Sequence, residues 1–183
     1  MSKSKLNGNK IIQAGLLHTN IVKHMTNSTL QRQLIQAGSA FAGLAVTAGA
    51  LGSHLLKDLI DGSDRNMWET AVRYHLIHSV ALLILGIGLR RINDAAGRTC
   101  FVSFVAGIFL FSGCLYLQAS SIIWAGERVK WFGTVVPFGG VSFIAGWFYL
   151  AVKGYKPSTS LSESSRKVME MQKRKTKTLH TEQ

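Results

Sequence analysis

Apolar residues run almost unbroken through four stretches of the chain, about Leu34–Leu56, Ala71–Leu89, Thr99–Ser120 and Gly133–Val152. Each is close to the ~20 residues that carry an α-helix across the hydrocarbon core of a bilayer. The polar segments between them are short, so consecutive helices are expected to run antiparallel and to pack as neighbours. The pattern predicts an all-α, integral membrane antiparallel four-helix bundle with both termini on one side. Three regions follow: a basic N-terminal extension over 1–33, a four-helix domain over 34–152, and a basic C-terminal tail over 153–183.

The first stretch carries no charge and is rich in small residues. Ala45, Gly49 and Ser53 recur at spacing four, as do Ala48 and Gly52. Such stripes let helix backbones approach closely in lipid, where packing rather than hydrophobicity drives association. This helix is therefore expected to be the packing spine of the bundle.

Polar residues inside the other stretches gather towards the end away from the termini. His54 closes the first stretch, and Tyr74, His75 and His78 fall near the start of the second. Tyr116 and Gln118 lie late in the third, and Pro137, Gly139 and Gly140 lie early in the fourth. Four segments far apart in sequence thus contribute to one polar layer. Two readings compete for it. In the structural one, imidazole and phenol groups bond to each other and to backbone freed by Pro137, because irregular backbone at membrane depth must find partners. In the functional one, His54 with His75 or His78 ligates haem or a metal, or lines a quinone or proton site, since intramembrane ionisable groups are costly and often functional. His75 and His78 sit three apart on one helix, which suits a shared hydrogen-bond network better than the opposite faces of a haem. The structural reading is preferred, with no cofactor and no metal.

Charge orients the bundle. Of the 21 Lys and Arg, sixteen fall on the side of the termini and five, Lys57, Arg65, Arg73, Arg128 and Lys130, on the other. Positive charge is retained on the cytoplasmic or matrix-like side, so both termini are expected there. Only 9 residues are acidic, and a formal net charge of +12 would suit nucleic acid as well as anionic lipid. The basic segments lack interleaved aromatics, so no nucleic-acid partner is expected. The first outer connection holds Asp58, Asp61, Asp64 and Glu69 beside Lys57 and Arg65, as a solvated charged turn would, and no catalytic constellation emerges.

The extensions have their own patterns. No Asp or Glu precedes Asp58, and Ala14, Leu17, Ile21 and Met25 line one side of a basic segment. Such a leader resembles an organelle-targeting segment or a helix lying on anionic lipid. In the tail, Ser160 three residues before Glu163 forms a capping box for a short helix from Leu161 to about Lys175. The basic end of the tail suits phospholipid head groups, cardiolipin among them, or a partner protein. Cys100 and Cys114 stand fourteen residues apart on one helix, about 21 Å along its axis, and cannot pair within it.

Four ordered motifs, "GALGSH" at 49–54, "WETAVRYHLIHSVALL" at 68–83, "FSGCLYL" at 111–117 and "VPFGG" followed by "GW" within 136–147, resemble the transmembrane protein 256 family. That family is related to small bacterial inner-membrane proteins of a domain-of-unknown-function family. The resemblance covers about Ile35 to Val152. It implies a four-helix membrane protein with no assigned reaction, and departures at Ser53, Cys114 and Val136 touch packing detail rather than fold. Both extensions lie outside it and suggest attachment to something larger. The resulting expectation is a multi-pass protein of the mitochondrial inner membrane with its termini in the matrix. It would serve as a non-catalytic accessory subunit of a respiratory-chain complex, with lipids and neighbouring subunits as partners. The alternatives are a haem- or quinone-binding membrane anchor in electron transfer and a small channel or transporter. Transport is the least favoured, because Leu82–Leu89 and Thr99–Leu110 offer no polar path.

Overall fold

The structure, a computed structural model, describes residues 3–155 and Glu170, with side chains described from Thr29 onward except that of Arg90. Four helices carry the chain: α1 (Lys3–His54), α2 (Gly62–Gly88), α3 (Asp94–Ala125) and α4 (Trp131–Lys153). By length and composition four segments can cross a membrane, namely Thr29–His54 of α1 and the whole of α2, α3 and α4. The fold is an all-α membrane helical bundle. The short tail helix expected from Leu161, with its capping box, lies outside the described residues apart from Glu170, which is helical.

Local chemistry sets the helix ends. The Asp61 carboxylate accepts the backbone N–H of Asp64 at 2.8 Å and starts α2 at Gly62, nine residues ahead of the apolar stretch. The Asn93 side chain caps α3 in the same way through Ala95 N–H at 2.9 Å. Gly126, with φ +74°, ends α3 in the left-handed conformation that a side chain disfavours. Gly154 O accepts Asn93 N–H at 2.9 Å, tying the end of α4 to the α2–α3 connection. The antiparallel order and the shared side of these ends follow.

At 1.5 Å per residue the 52 residues of α1 span about 78 Å, more than twice the ~30 Å hydrocarbon core. Its N-terminal half therefore continues as a helical arm beyond the membrane span.

Packing is uneven. α1 packs along α2, α2 packs on α3, and α3 packs on α4, so α1 and α4 are the outer members. The α1–α2 seam uses small residues, as expected. Ala45 is fully buried, a Cβ on Gly38 would lie 2.8 Å from Leu83 N, and one on Gly52 would lie 2.6 Å from the Trp68 indole. The α3–α4 seam is equally close. Ser142 Oγ donates to Ser103 O at 2.9 Å, and a Cβ on Gly146 would lie 2.6 Å from the Phe104 ring. The apolar core, with Leu34, Leu82, Cys100 and Phe104 fully buried, lies between these seams.

One irregularity was not visible in the hydropathy pattern. Residues Ile108–Gly113 of α3 form a π-helical segment, and α4 crosses it where Gly139 lies against the Phe111 backbone. A side chain at 139 would overlap that backbone. Pro137 lacks an N–H, so the α4 ladder is interrupted two residues before this crossing. The "VPFGG" motif is thus read physically as the place where α4 seats on the widened turn of α3.

Candidate functional site

The histidines do not sit at the opening of α2. Because Asp61 starts the helix early, Tyr74 lies twelve residues inside it, and His75 and His78 face the interior. They belong to different surroundings one turn apart.

His78 is buried, 4% exposed, with both ring nitrogens engaged. Its Nδ1 lies 2.8 Å from the Tyr74 carbonyl oxygen, and its Nε2 lies 3.1 Å from Trp147 Nε1 on α4. A carbonyl only accepts and an indole N–H only donates, so the imidazole is the neutral Nδ1–H tautomer, with Nε2 as acceptor. The ring stacks on Phe143 at 3.5 Å between centroids with an interplanar angle of 13°, and meets Phe104 edge-on at 5.2 Å. No ring nitrogen is left for a ligand.

His75, 6% exposed, turns towards α1 and α3. Its Nδ1 is 3.4 Å from the Tyr116 hydroxyl, and Phe41 of α1 meets its ring edge-on at 5.8 Å. Tyr116 in turn packs against Trp68 at 4.7 Å, and Trp68 donates its indole N–H to Ala48 O at 2.8 Å. Trp68 is therefore half-buried in the α1–α2 seam. His75 Nε2 is buried without a hydrogen-bond partner among the described residues, as is Ser112 Oγ in the π-helical segment.

Of the residues placed by sequence in one layer, the structure brings together Tyr74, His75, His78 and Tyr116 through α2 and α3. Tyr74 packs on Phe111 at 4.7 Å, which connects the layer to Gly139 and Gly140. Gln118 stands apart near the outer end of α3, where its side chain abuts Gly133. His54 is exposed at the end of α1, and no hydrogen bond or ring contact joins it to His75 or His78. The second axial ligand that a bis-histidine haem requires is therefore not supplied by His54. No three His, Cys, Asp or Glu side chains among the described residues are placed to hold a metal ion.

Sequence reasoning missed Phe104, Phe143 and Phe41 as the walls of the histidine sites. Gly139, Phe143 and Gly146 recur at spacing four and three on α4 and are all buried, a signal present in the sequence. It also missed the outer clamp. Arg128 of the α3–α4 connection reaches back to α2 and pairs with Asp64 at 2.7 Å and Asp61 at 3.5 Å. Hydrogen bonding to the Asp64 backbone, then Arg128, holds the Asp61 carboxyl below its ordinary 3.8. The bond to Asp64 and the two nearby carboxylates hold the Arg128 guanidinium above its ordinary value.

Residues 48–140 match a family model described as "Protein of unknown function (DUF423)". A UPF0382 membrane protein of Staphylococcus aureus (strain bovine RF122 / ET3-1) is 38% identical over 122 residues, covering 65% of this chain and 92% of that protein. UPF0382 membrane protein YwdK of Bacillus subtilis (strain 168) is 32% identical over 121 residues, covering 65% of this chain and 93% of its own length. No solved structure matches. About a third of this chain thus lies outside the match to each of these bacterial proteins, the family model takes in His75, His78 and Tyr116, and the chain belongs to the DUF423 family of membrane proteins.

Proposed function

We propose that the protein is a non-catalytic packing subunit of a larger membrane assembly, without a redox cofactor of its own. The observation that carries this reading is a second stripe of small residues on α1. Ala45, Gly49 and Gly52 serve the seam with α2, but Ser39, Ala40, Gly43, Thr47 and Ala50 face outward, and a Cβ on Gly43 would meet nothing within 4 Å. A lipid-facing surface gains nothing from smallness, whereas a helix from another chain packs closely on such a surface. The helical arm and the basic extensions add a second means of attachment outside the hydrocarbon.

The engagement of His78 in packing supports the absence of a redox role, because its nitrogens hold Tyr74 and Trp147 in place. The finer assignment to a mitochondrial inner-membrane, respiratory-chain complex rests on the acid-free basic leader and on the resemblance to the transmembrane protein 256 family. The curated relatives are bacterial membrane proteins whose names carry no activity. Placement of both termini on the matrix side rests on the charge asymmetry. The bundle topology supports it by setting the arm of α1, the α2–α3 connection and the end of α4 on one side.

Affinity purification of the tagged protein from its own host in a mild detergent, followed by mass spectrometry, tests the reading. Stoichiometric recovery of subunits of one membrane complex is the expected result. Recovery of the chain alone, with haem or quinone bound, would replace it with the electron-transfer alternative.

A further inference from the structure

The outer connection between α1 and α2, taken from sequence as a plain solvated turn, is sorted by the fold into two unlike parts. Its acids and bases do not neutralise one another. Arg128, arriving from the α3–α4 connection, takes Asp61 and Asp64. On the other side, a hollow of about 590 Å³ opens between the last turns of α1 and the first turns of α2. Lys57, Arg65 and Arg73 line it with a single carboxylate, Glu69, and Trp68 lies at its wall. None of these three cations forms an ion pair among the described residues. Arg65 spends part of its guanidinium on the Lys57 carbonyl oxygen, while its Nε is buried without a partner.

The depth of the hollow identifies what it faces. α1 ends at His54, and the apolar run of α2 begins at Ala71, so Lys57 and Arg65 lie just outside the hydrocarbon and Arg73 within its first turn. An arginine there extends its head back to the interface. Exposed apolar surface runs inward from this level along α1, at Leu51 and, seven residues earlier on the same face, Leu44. Three cations against one carboxylate leave a net charge of +2 at the level of lipid phosphates, on the face of the protein that carries the fewest positive charges.

We propose that this hollow binds the headgroup of an anionic phospholipid in the leaflet opposite the termini, with Arg73, Arg65 and Lys57 on its phosphate oxygens. Guanidinium groups suit phosphate because their paired donors match its oxygens. The excess charge complements a headgroup with two phosphates better than one with a single phosphate. The lipid's chains run inward past the exposed Leu51 and Leu44 of α1. The proposal is independent of the subunit reading, since a protein acting alone would hold the lipid equally well.

Native mass spectrometry of the full chain in detergent tests it, with titration of cardiolipin, phosphatidylglycerol and phosphatidylcholine. One tightly bound cardiolipin, weaker phosphatidylglycerol and no retained phosphatidylcholine are expected. Arg73→Gln should weaken cardiolipin binding about fivefold, and the triple change of Lys57, Arg65 and Arg73 to Gln on the order of a hundredfold. A control with Lys3, Lys5 and Lys10 changed to Gln should bind as the parent does. Should the triple variant fail to fold, Arg73→Gln and Lys57→Gln singly give the same readout. Loss of binding in the arm variant instead, equal binding of all three lipids, or displacement of the lipid by inorganic phosphate would overturn the proposal.

Discussion

Trp147 on α4 donates its indole N–H to His78 Nε2 on α2 across 3.1 Å, although the two helices pack on each other only through side chains at this level. The bond closes a chain from the Tyr74 carbonyl through the imidazole to α4. Trp147→Phe would keep most of the ring volume but leave Nε2 without a donor in a buried site. A loss of about 1 kcal/mol is expected, at the lower end of the cost of an unsatisfied buried group because polar groups in bilayers find substitute partners. Reversible unfolding in mixed detergent micelles measures it, and an unchanged midpoint would remove the bond from the account.

His75 gives the opposite expectation. Its Nε2 is buried without a partner, and its Nδ1 makes only the long 3.4 Å contact to the hydroxyl of half-buried Tyr116, so His75→Phe removes an orphaned polar atom and one weak hydrogen bond together. The two changes act in opposite directions and nearly offset. The variant is expected to unfold within about 1 kcal/mol of the parent, or later, in the same assay. A loss of several kcal/mol would mean that the imidazole holds a partner, and would return the layer to a ligand-binding role.

Two glycines separate folding from assembly. Gly139 lies against the Phe111 backbone, whereas Gly43 faces outward with open space around it. Gly139→Leu should unseat α4 from the π-helical segment and lower stability by roughly 1–3 kcal/mol or more, as overpacking does. Gly43→Leu should leave monomer stability within about 0.5 kcal/mol. Thermal unfolding of both variants in detergent checks the contrast, and equal destabilisation would contradict the assigned faces of α1 and α4.

Acid should loosen the outer clamp. Hydrogen bonding to the Asp64 backbone, with Arg128 beside it, lowers the folded-state pKa of Asp61 below 3.8. A depressed carboxylate stabilises the fold above its unfolded pKa, and that contribution is lost as pH falls through the folded value. Stability is therefore expected to be flat from neutral pH down to about 4 with respect to this group, and to decline below it. Asp61→Asn should show a shallower decline. Arg128, held above its ordinary value by Asp64 and Asp61, stays charged throughout and contributes no slope in this range. A variant whose acid limb matched the parent would remove Asp61 from the clamp.

What was legible in the sequence was set by hydropathy and residue size. Four apolar runs of spanning length place four helices, and Ala45 and Gly49 of the predicted small-residue stripe lie in the α1–α2 seam, whereas Ser53 is exposed. Legibility ended where two segments had to be brought together. Nothing in "YHLIH" tells that the Asp61 cap moves the helix start upstream, and so places the pair mid-helix. Nor does it tell that His75 turns to α1 and α3 while His78 turns to α4. At spacing three on a helix the side chains are about 60° apart, enough to divide them between neighbours. His54 looked equivalent by its position at a helix end, yet it is exposed there, which no local pattern encodes. The π-helical segment left no mark on the hydropathy pattern, and the glycine that packs against it, Gly139, lies some thirty residues away.

The central claim is that the outward stripe of α1 joins this chain to a larger assembly. Its most direct test is the native size of the digitonin-extracted protein on a blue native gel, for the parent and Gly43→Leu expressed in the same host. The expected result is parent protein in a band far above its own 20.0 kDa plus detergent, with Gly43→Leu shifted to the size of the free chain while still folded. Parent protein running as the free chain, or Gly43→Leu remaining wholly in the large band, would contradict the account.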